Sequence, residues 1–360
     1  MSKKTSTKKL SDEKESINRL PNTSLKGLFI FLSLVLITLS GCSPSTDQTT
    51  GNRDLYFNMW AEGGTGIMSC SGEWIVGPID REQGRVNGPM TDDLAPFVII
   101  EDWYYTYINQ NGEFPFTEKY EVAMPFSEGL AAVMVDGVWG FIDTNGTFVI
   151  QPQFESSMIG RFNNGLANVV YEVDDTGYPL SWIYINTKGE KVLGPYLSAE
   201  SFSNGYAEVS GVKAGEGSKS GFIDTNGDFV LEFTQGIDTY GPAGAYGDGL
   251  FPVIDIGKQY KEGTCSIGFM NKDGEWVIEP QFCRVDAFSN GLAPVSKSDD
   301  PNFPPFGYIN TSGQMVIEQK YQFATPFFGG CARVIWDDIN SFGLIDPEGN
   351  IIYAYSTAMQ

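Results

Sequence analysis

The 360 residues contain no histidine. That absence removes Ser-His-Asp and Cys-His nucleophilic machinery and every His-ligated metal site. Basic side chains are scarce too, 23 Lys and Arg against 45 Asp and Glu, giving a net charge of −22 at pH 7. A surface this acidic repels phosphate backbones, so nucleic acid is not an expected partner. No Gly-rich segment ends in Gly-Lys-Ser/Thr, the five cysteines lack the spacing of a zinc site, and no cofactor is expected. Helical periodicity is almost missing after residue 50. The apolar run Leu28 to Leu39 is only 12 residues long, short of the roughly 20 that a membrane helix needs.

Turn formers and β formers are abundant. With 42 Gly, 19 Pro and 14% aromatic residues, the chain reads as an all-β, turn-rich protein long enough to bury a sizeable core. Its organising stretch is Phe126 to Phe154, F-S-E-G-L-A-A-V-M-V-D-G-V-W-G-F-I-D-T-N-G-T-F-V-I-Q-P-Q-F. Leu130 to Val135 and Val138 to Asp143 are apolar runs joined by the hairpin dipeptide Asp136-Gly137. Asp143 to Gly146 makes a second turn, and Thr147 to Ile150 a third strand whose pairing should stop or bulge at Pro152. The opening Phe-x-x-Gly recurs at Phe162, Phe202, Tyr246, Phe288 and Phe327, with a degenerate copy at Met90 to Asp93, a period near 40 residues. An earlier hairpin, Gly66 to Val76, stands alone. Such a period marks a propeller, a solenoid or a similar array. The expectation is about seven three-stranded meander modules in a β-propeller-like ring, with an open β-solenoid-like array as the alternative.

The pattern F-x-x-G-L-A, then W-G-F-I-D-x-x-G-x-x-V-I-x-P-x-F, resembles the bacterial WG-repeat (KWG) family over roughly residues 66 to 355. The Trp-Gly pair itself stands only at Trp139-Gly140, while Gly221, Gly268, Gly307 and Gly343 keep the glycine alone. The resemblance implies an exported or surface-associated bacterial protein and little about its activity.

Lys3, Lys4, Lys8, Lys9, Arg19 and Lys26 precede the apolar run, which suits the h-region of a signal peptide. Leu39-Ser40-Gly41-Cys42 resembles a lipoprotein lipobox, which implies cleavage before Cys42 and lipid on that residue. Residues 1–41 are therefore expected to be a lipoprotein signal peptide, 42–52 a flexible tether and 53–360 the repeat domain, exported and held at the extracytoplasmic face of a membrane. Cleavage would leave 16 basic against 42 acidic side chains, a net charge of −26.

Counting outward from the hairpin at Asp273-Gly274 places Cys265 across from Cys283. Cys70 and Cys331 fall at the same end of their meanders, so a bond between them would join the first hairpin to the last repeat; both pairs can bridge in an oxidising compartment or stay free thiols. Insertions at Glu172 to Ser181, Gly211 to Ser220, Gly257 to Ser266 and Pro301 to Pro305 all fall between the first two strands of a module, hence on one side of the stack. They carry the candidate binding residues Asp174, Asp175, Tyr178, Tyr260, Lys261, Asp299, Asp300 and Phe303, a set suited to peptide or glycan. The Asp-Thr-Asn-Gly segments at 143–146 and 224–227 read as turns rather than calcium loops, lacking a further acidic ligand. Trp103 to Tyr107 reads as strand packing rather than a sugar platform. The expected function is a binding or scaffold module for a protein, peptide or cell-wall glycan and not an enzyme. A carboxylate-dependent hydrolase or a structural envelope protein without a specific ligand are the alternatives.

Overall fold

A computed structural model describes residues 56–356 except 157, 214–217, 235, 240–245, 260–264, 301–303 and 337–340. The segments expected to be a signal peptide and a tether, with Cys42, and the residues Tyr260, Lys261 and Phe303 lie outside the described residues. Eight small antiparallel sheets follow one another as the blades of a β-propeller. The sequence count of seven falls one short. The hairpin at Gly66 is part of a full first blade, β1 (Tyr56–Ala61), β2 (Gly64–Ser69) and β3 (Trp74–Asp80).

Most blades also hold a fourth strand that the three-stranded reading missed. Val122–Ala123, Ser198–Ala199, Arg284–Val285 and Phe323–Ala324 each pair with the strand that follows the Phe-x-x-Gly turn. Two or three residues are too few to show a periodicity, which is why they are invisible beforehand. In blade 4 this strand shrinks to the bridge Ile159–Val169, and in blade 2 the outer strand shrinks to Tyr105–Tyr120.

The turns dictate how the blades meet. Glu128 and Gly129 both hold positive φ, 55° and 78°, and Ser127 and Leu130 exchange backbone hydrogen bonds, a tight turn of the I′ kind. The side chain at the Glu128 position reaches the next blade's turn. Asp92 accepts from the Gly129 amide at 2.9 Å, Glu128 from Asn164 and Gly165 at 2.6 and 2.8 Å, Asn164 from Gly205 at 2.9 Å and Asp248 from Gly291 at 2.7 Å. These turns leave the short first strand at one edge of each sheet, the edge that lines the central channel in a β-propeller. The outer strands, by contrast, expose Val149, Val277, Val316 and Ile351.

Aromatic pairs fill the space between blades. Tyr107 packs on Phe126, Phe141 on Phe162, Tyr184 on Phe202, Phe269 on Phe288 and Tyr308 on Phe327, with ring centroids 4.7–4.9 Å apart. In three blades the ring is a tyrosine whose hydroxyl donates across the gap, to the carbonyls of Met124, Glu200 and Thr325.

The ring closes. Glycine in the turn between third and outer strands sits against the outer strand of the preceding blade: Gly112 on Val76, Gly146 on Phe116, Gly189 on Ile150, Gly227 on Leu193, Gly274 on Leu231, Gly313 on Ile278 and Gly349 on Ile317. The eighth step is Gly72 of blade 1 on Ile352 of blade 8. Trp74 meets Tyr353 edge to face at 5.8 Å, and Met59 and Met68 share a core cluster with Leu344. Cys70 is bonded to Cys331 across this seam, and Cys265 to Cys283 within blade 6.

The motif glycine persists for a steric reason. A Cβ on Gly140, Gly268 or Gly307 would lie 2.7, 2.5 or 2.4 Å from the carbonyl oxygen of Ile150, Ile278 or Ile317, where the outer strand bulges inward. No equivalent approach constrains the preceding tryptophan. Trp139 is buried and donates its indole N–H to the Ser156 carbonyl, an arrangement other blades replace with other side chains.

Candidate functional site

Every blade runs in the same direction, so the ring has two distinct ends. Tight turns occupy one. The other carries the joints between second and third strands and the links from one blade to the next, and all the inserted loops emerge there.

Blade 4 carries a long hairpin at this loop end. Its strands Leu166–Val173 and Pro179–Asn186 run eight residues each, two beyond those of blade 3. Asp174 organises the tip by accepting the Thr176 hydroxyl at 2.6 Å and the Thr176 and Tyr178 amides at 2.8 and 2.9 Å. The Thr176 hydroxyl first, then these amides, hold its carboxyl below the usual Asp range. Tyr178 is left 70% exposed, and Tyr171, Val173 and Leu180 on the same hairpin are also exposed. Met158 and Leu197, on the links entering blades 4 and 5, add two more exposed apolar side chains at the same end. Lys191 sits with its ammonium 4.5 Å from the Tyr171 ring centroid.

Three of the residues singled out from sequence, Asp174, Asp175 and Tyr178, thus stand together on one hairpin. Asp299 and Asp300 belong to the corresponding joint of blade 7, where the Ser298 hydroxyl accepts the Asp300 amide. In blade 2 the same end presents Trp103, held at φ 59°, and Tyr104, both exposed, while Tyr105 and Tyr107 are buried. The expectation that the whole Trp103–Tyr107 cluster is packing therefore fails for its first two members, which precede or begin the strand. Asp102 pairs with Lys119 beside them.

Carboxylates near the axis were not anticipated. Asp286 and Glu200 each follow the short axial strand of their blade, donating a backbone amide to the Pro294 and Glu208 carbonyls. Asp286 is half-buried, and Glu200 is exposed with protein atoms packed around it. Burial pushes Asp286 up to about 6 and raises Glu200 as well. Glu208 and Asn168 are buried on neighbouring second strands, with Asn168 donating to the Ala199 carbonyl and accepting from the Ser201 hydroxyl. A sequence signal did exist: Asn168 and Glu208 break the otherwise apolar Leu-Ala-x-Val run.

The Asp-x-x-Gly segments are turns. Asp143 accepts the Asn145 and Thr147 amides at 2.9 Å, and Asp224 those of Asn226 and Asp228 at 2.9 and 3.0 Å, each pair on one carboxylate oxygen as in an Asx turn. Among the described residues no group of three or more Asp, Glu or Cys is placed to hold a metal ion, and no helix is long and apolar enough to cross a membrane.

Comparison with solved structures finds similarity at low identity. A eukaryotic initiation factor is 9% identical, with 85% of each chain covered and a TM-score of 0.49. Apo AztD from Citrobacter koseri is 12% identical, with 84% of this chain and 94% of that one covered and a TM-score of 0.46. A puromycin hydrolase is 12% identical, with 74% of this chain and 53% of that one covered and a TM-score of 0.44. No curated protein matches the sequence. The family model described as WG containing repeat matches the chain in four places, residues 105–139, 139–172, 267–299 and 306–335, each running from the third strand of one blade through the second strand of the next.

Proposed function

We propose that this protein is an exported scaffold, held to a membrane by lipid on Cys42, whose loop end binds a protein, peptide or cell-wall glycan. The observation that carries the reading is the concentration of exposed apolar side chains at the loop end of blades 4 and 5, around a hairpin longer than ring closure requires. The turn end, by contrast, spends its polar groups on neighbouring blades. Function sited in loops on a rigid frame is the usual division of labour in repeat proteins. The disulfides suit an oxidising compartment, consistent with export.

Two measurements test it. Replacing residues 172–181 by a two-residue Asp-Gly turn should abolish retention of envelope components on the immobilised repeat domain while leaving its far-UV spectrum unchanged; equal retention by both forms refutes the assignment of the face. Cys42→Ser should release the protein from the membrane fraction, and unchanged membrane association refutes the anchor.

A further inference from the structure

The chemistry of the loop end of blades 4 and 5 narrows its partner, on the reading that this end is a binding face. We infer that it takes a cationic polypeptide segment that also carries aliphatic or aromatic residues. Three observations converge. Tyr171, Val173, Tyr178 and Leu180 offer apolar and aromatic area on one hairpin. No Lys or Arg occurs between Arg161 and Lys188, while Glu172, Asp174 and Asp175 flank the apolar residues within that hairpin. And the Tyr171 ring already carries a cation on its face, the ammonium of Lys191 at 4.5 Å.

Other occupants fit less well. A second copy of this chain would bring a net charge of −22 against the same sign, and an anionic lipid surface or a nucleic acid would be repelled likewise. A neutral glycan could stack on Tyr178 and donate hydroxyls to the carboxylates, but it would draw no benefit from their uncompensated charge. For a cationic segment, the carboxylates steer the approach and the apolar side chains supply contact, so both salt and truncation should weaken the complex.

The test uses the repeat domain with its disulfides intact and three 12-residue probes: one alternating Lys with Leu and Trp, its Glu counterpart, and a Lys and Ser peptide without apolar residues. Fluorescence anisotropy should show saturable binding of the first only, weakening at least about 10-fold from 50 to 300 mM salt. Tyr178→Ala with Leu180→Ala should weaken it at least about 5-fold at every salt concentration. Glu172→Gln with Asp175→Asn should weaken it at low salt and flatten the salt dependence. Val316→Ala, on the outer edge of blade 7, should change nothing. Equal binding of the Lys and Ser peptide, or salt-steep binding that ignores the Tyr178 and Leu180 changes, means diffuse attraction to an acidic protein and overturns the inference. Binding of neither cationic probe, with a chitin or peptidoglycan oligomer held instead and lost on Tyr178→Ala, overturns it while keeping the binding face.

Discussion

Breaking the bond between Cys70 and Cys331 should cost more stability than breaking the one between Cys265 and Cys283, and the reason lies in what each closes. The first joins residues separated by 261 positions, the last blade to the first. The second spans 18 positions inside one hairpin. Loop-closure entropy grows with the logarithm of the loop, giving about 5.5 kcal/mol for the seam bond and about 3 kcal/mol for the local one, both upper values because denatured chains retain structure. The seam bond also guards the point where blade 1 meets blade 8 through Gly72 on Ile352, Trp74 on Tyr353 and the Met59 and Met68 cluster. Urea unfolding of Cys70→Ala with Cys331→Ala should therefore show both the larger loss and a broadened transition as blade 1 opens first. Hydrogen exchange read in β1 to β3 would locate the opening. A larger loss from Cys265→Ala with Cys283→Ala, or an unbroadened transition with blade 1 exchanging no faster than blade 6, would refute the argument that the seam is the weak joint of the ring.

Asp286 sets a pH dependence whose sign is opposite to that of a salt-bridged carboxylate. Its folded value, about 6, lies above the unfolded value near 3.8, so the folded state binds the extra proton. Stability falls as pH rises from about 4 to about 6 and stays lowered above that, and Asp286→Asn should remove this slope and stabilise the protein at pH 7 by about 1–3 kcal/mol; a thermal melt series showing no difference in slope would contradict it. Gly307→Ala should cost about 2–4 kcal/mol because its methyl would meet the Ile317 carbonyl, whereas Gly177→Ala, at φ 83° in open space, should cost only about 1 kcal/mol in the same urea assay. Tyr308→Phe removes a 2.9 Å hydrogen bond to the Thr325 carbonyl and should cost about 1 kcal/mol by the same measurement.

Much of the ring was legible because its local signals are strong. Asp136-Gly137 and Asp143 to Gly146 state their turns outright, and the apolar runs between them have the length of strands. The eighth blade escaped because Tyr56–Ala61 has no recognisable Phe-x-x-Gly turn before it, so only its second hairpin showed. The axial strands escaped through brevity. At the loop end, sequence could name Asp174 and Tyr178 as loop residues, but not that Val173 and Leu180 would stay exposed. Periodicity cannot distinguish a strand that continues past the sheet from one that stops inside it. Asp286 was harder still: its environment depends on tertiary burial, and nothing in its local sequence marks it.

The variation among the repeats separates framework from working surface. At the turn end, Asp92, Glu128, Asn164 and Asp248 differ in length and charge, yet each presents an oxygen that the next blade's glycine amide can reach. The constraint there is an acceptor at a fixed distance, and any side chain meeting it serves. At the axis, Met124, Glu200, Asp286 and Thr325 follow equivalent strands, and what Glu200 shares with Met124 and Thr325 is a backbone carbonyl that receives a tyrosine hydroxyl; the side chains are free to differ. Among the described residues, the loop end shows no such repeated ladder of contacts from blade to blade. Its joints range from the two residues Asp136-Gly137 to the long hairpin of blade 4, and the side chains that distinguish them face outward. Closure of the ring sets few demands on the side chains of the blade 4 joint, so they can vary without disturbing the fold. That is the physical ground for placing function on the hairpin around Tyr178.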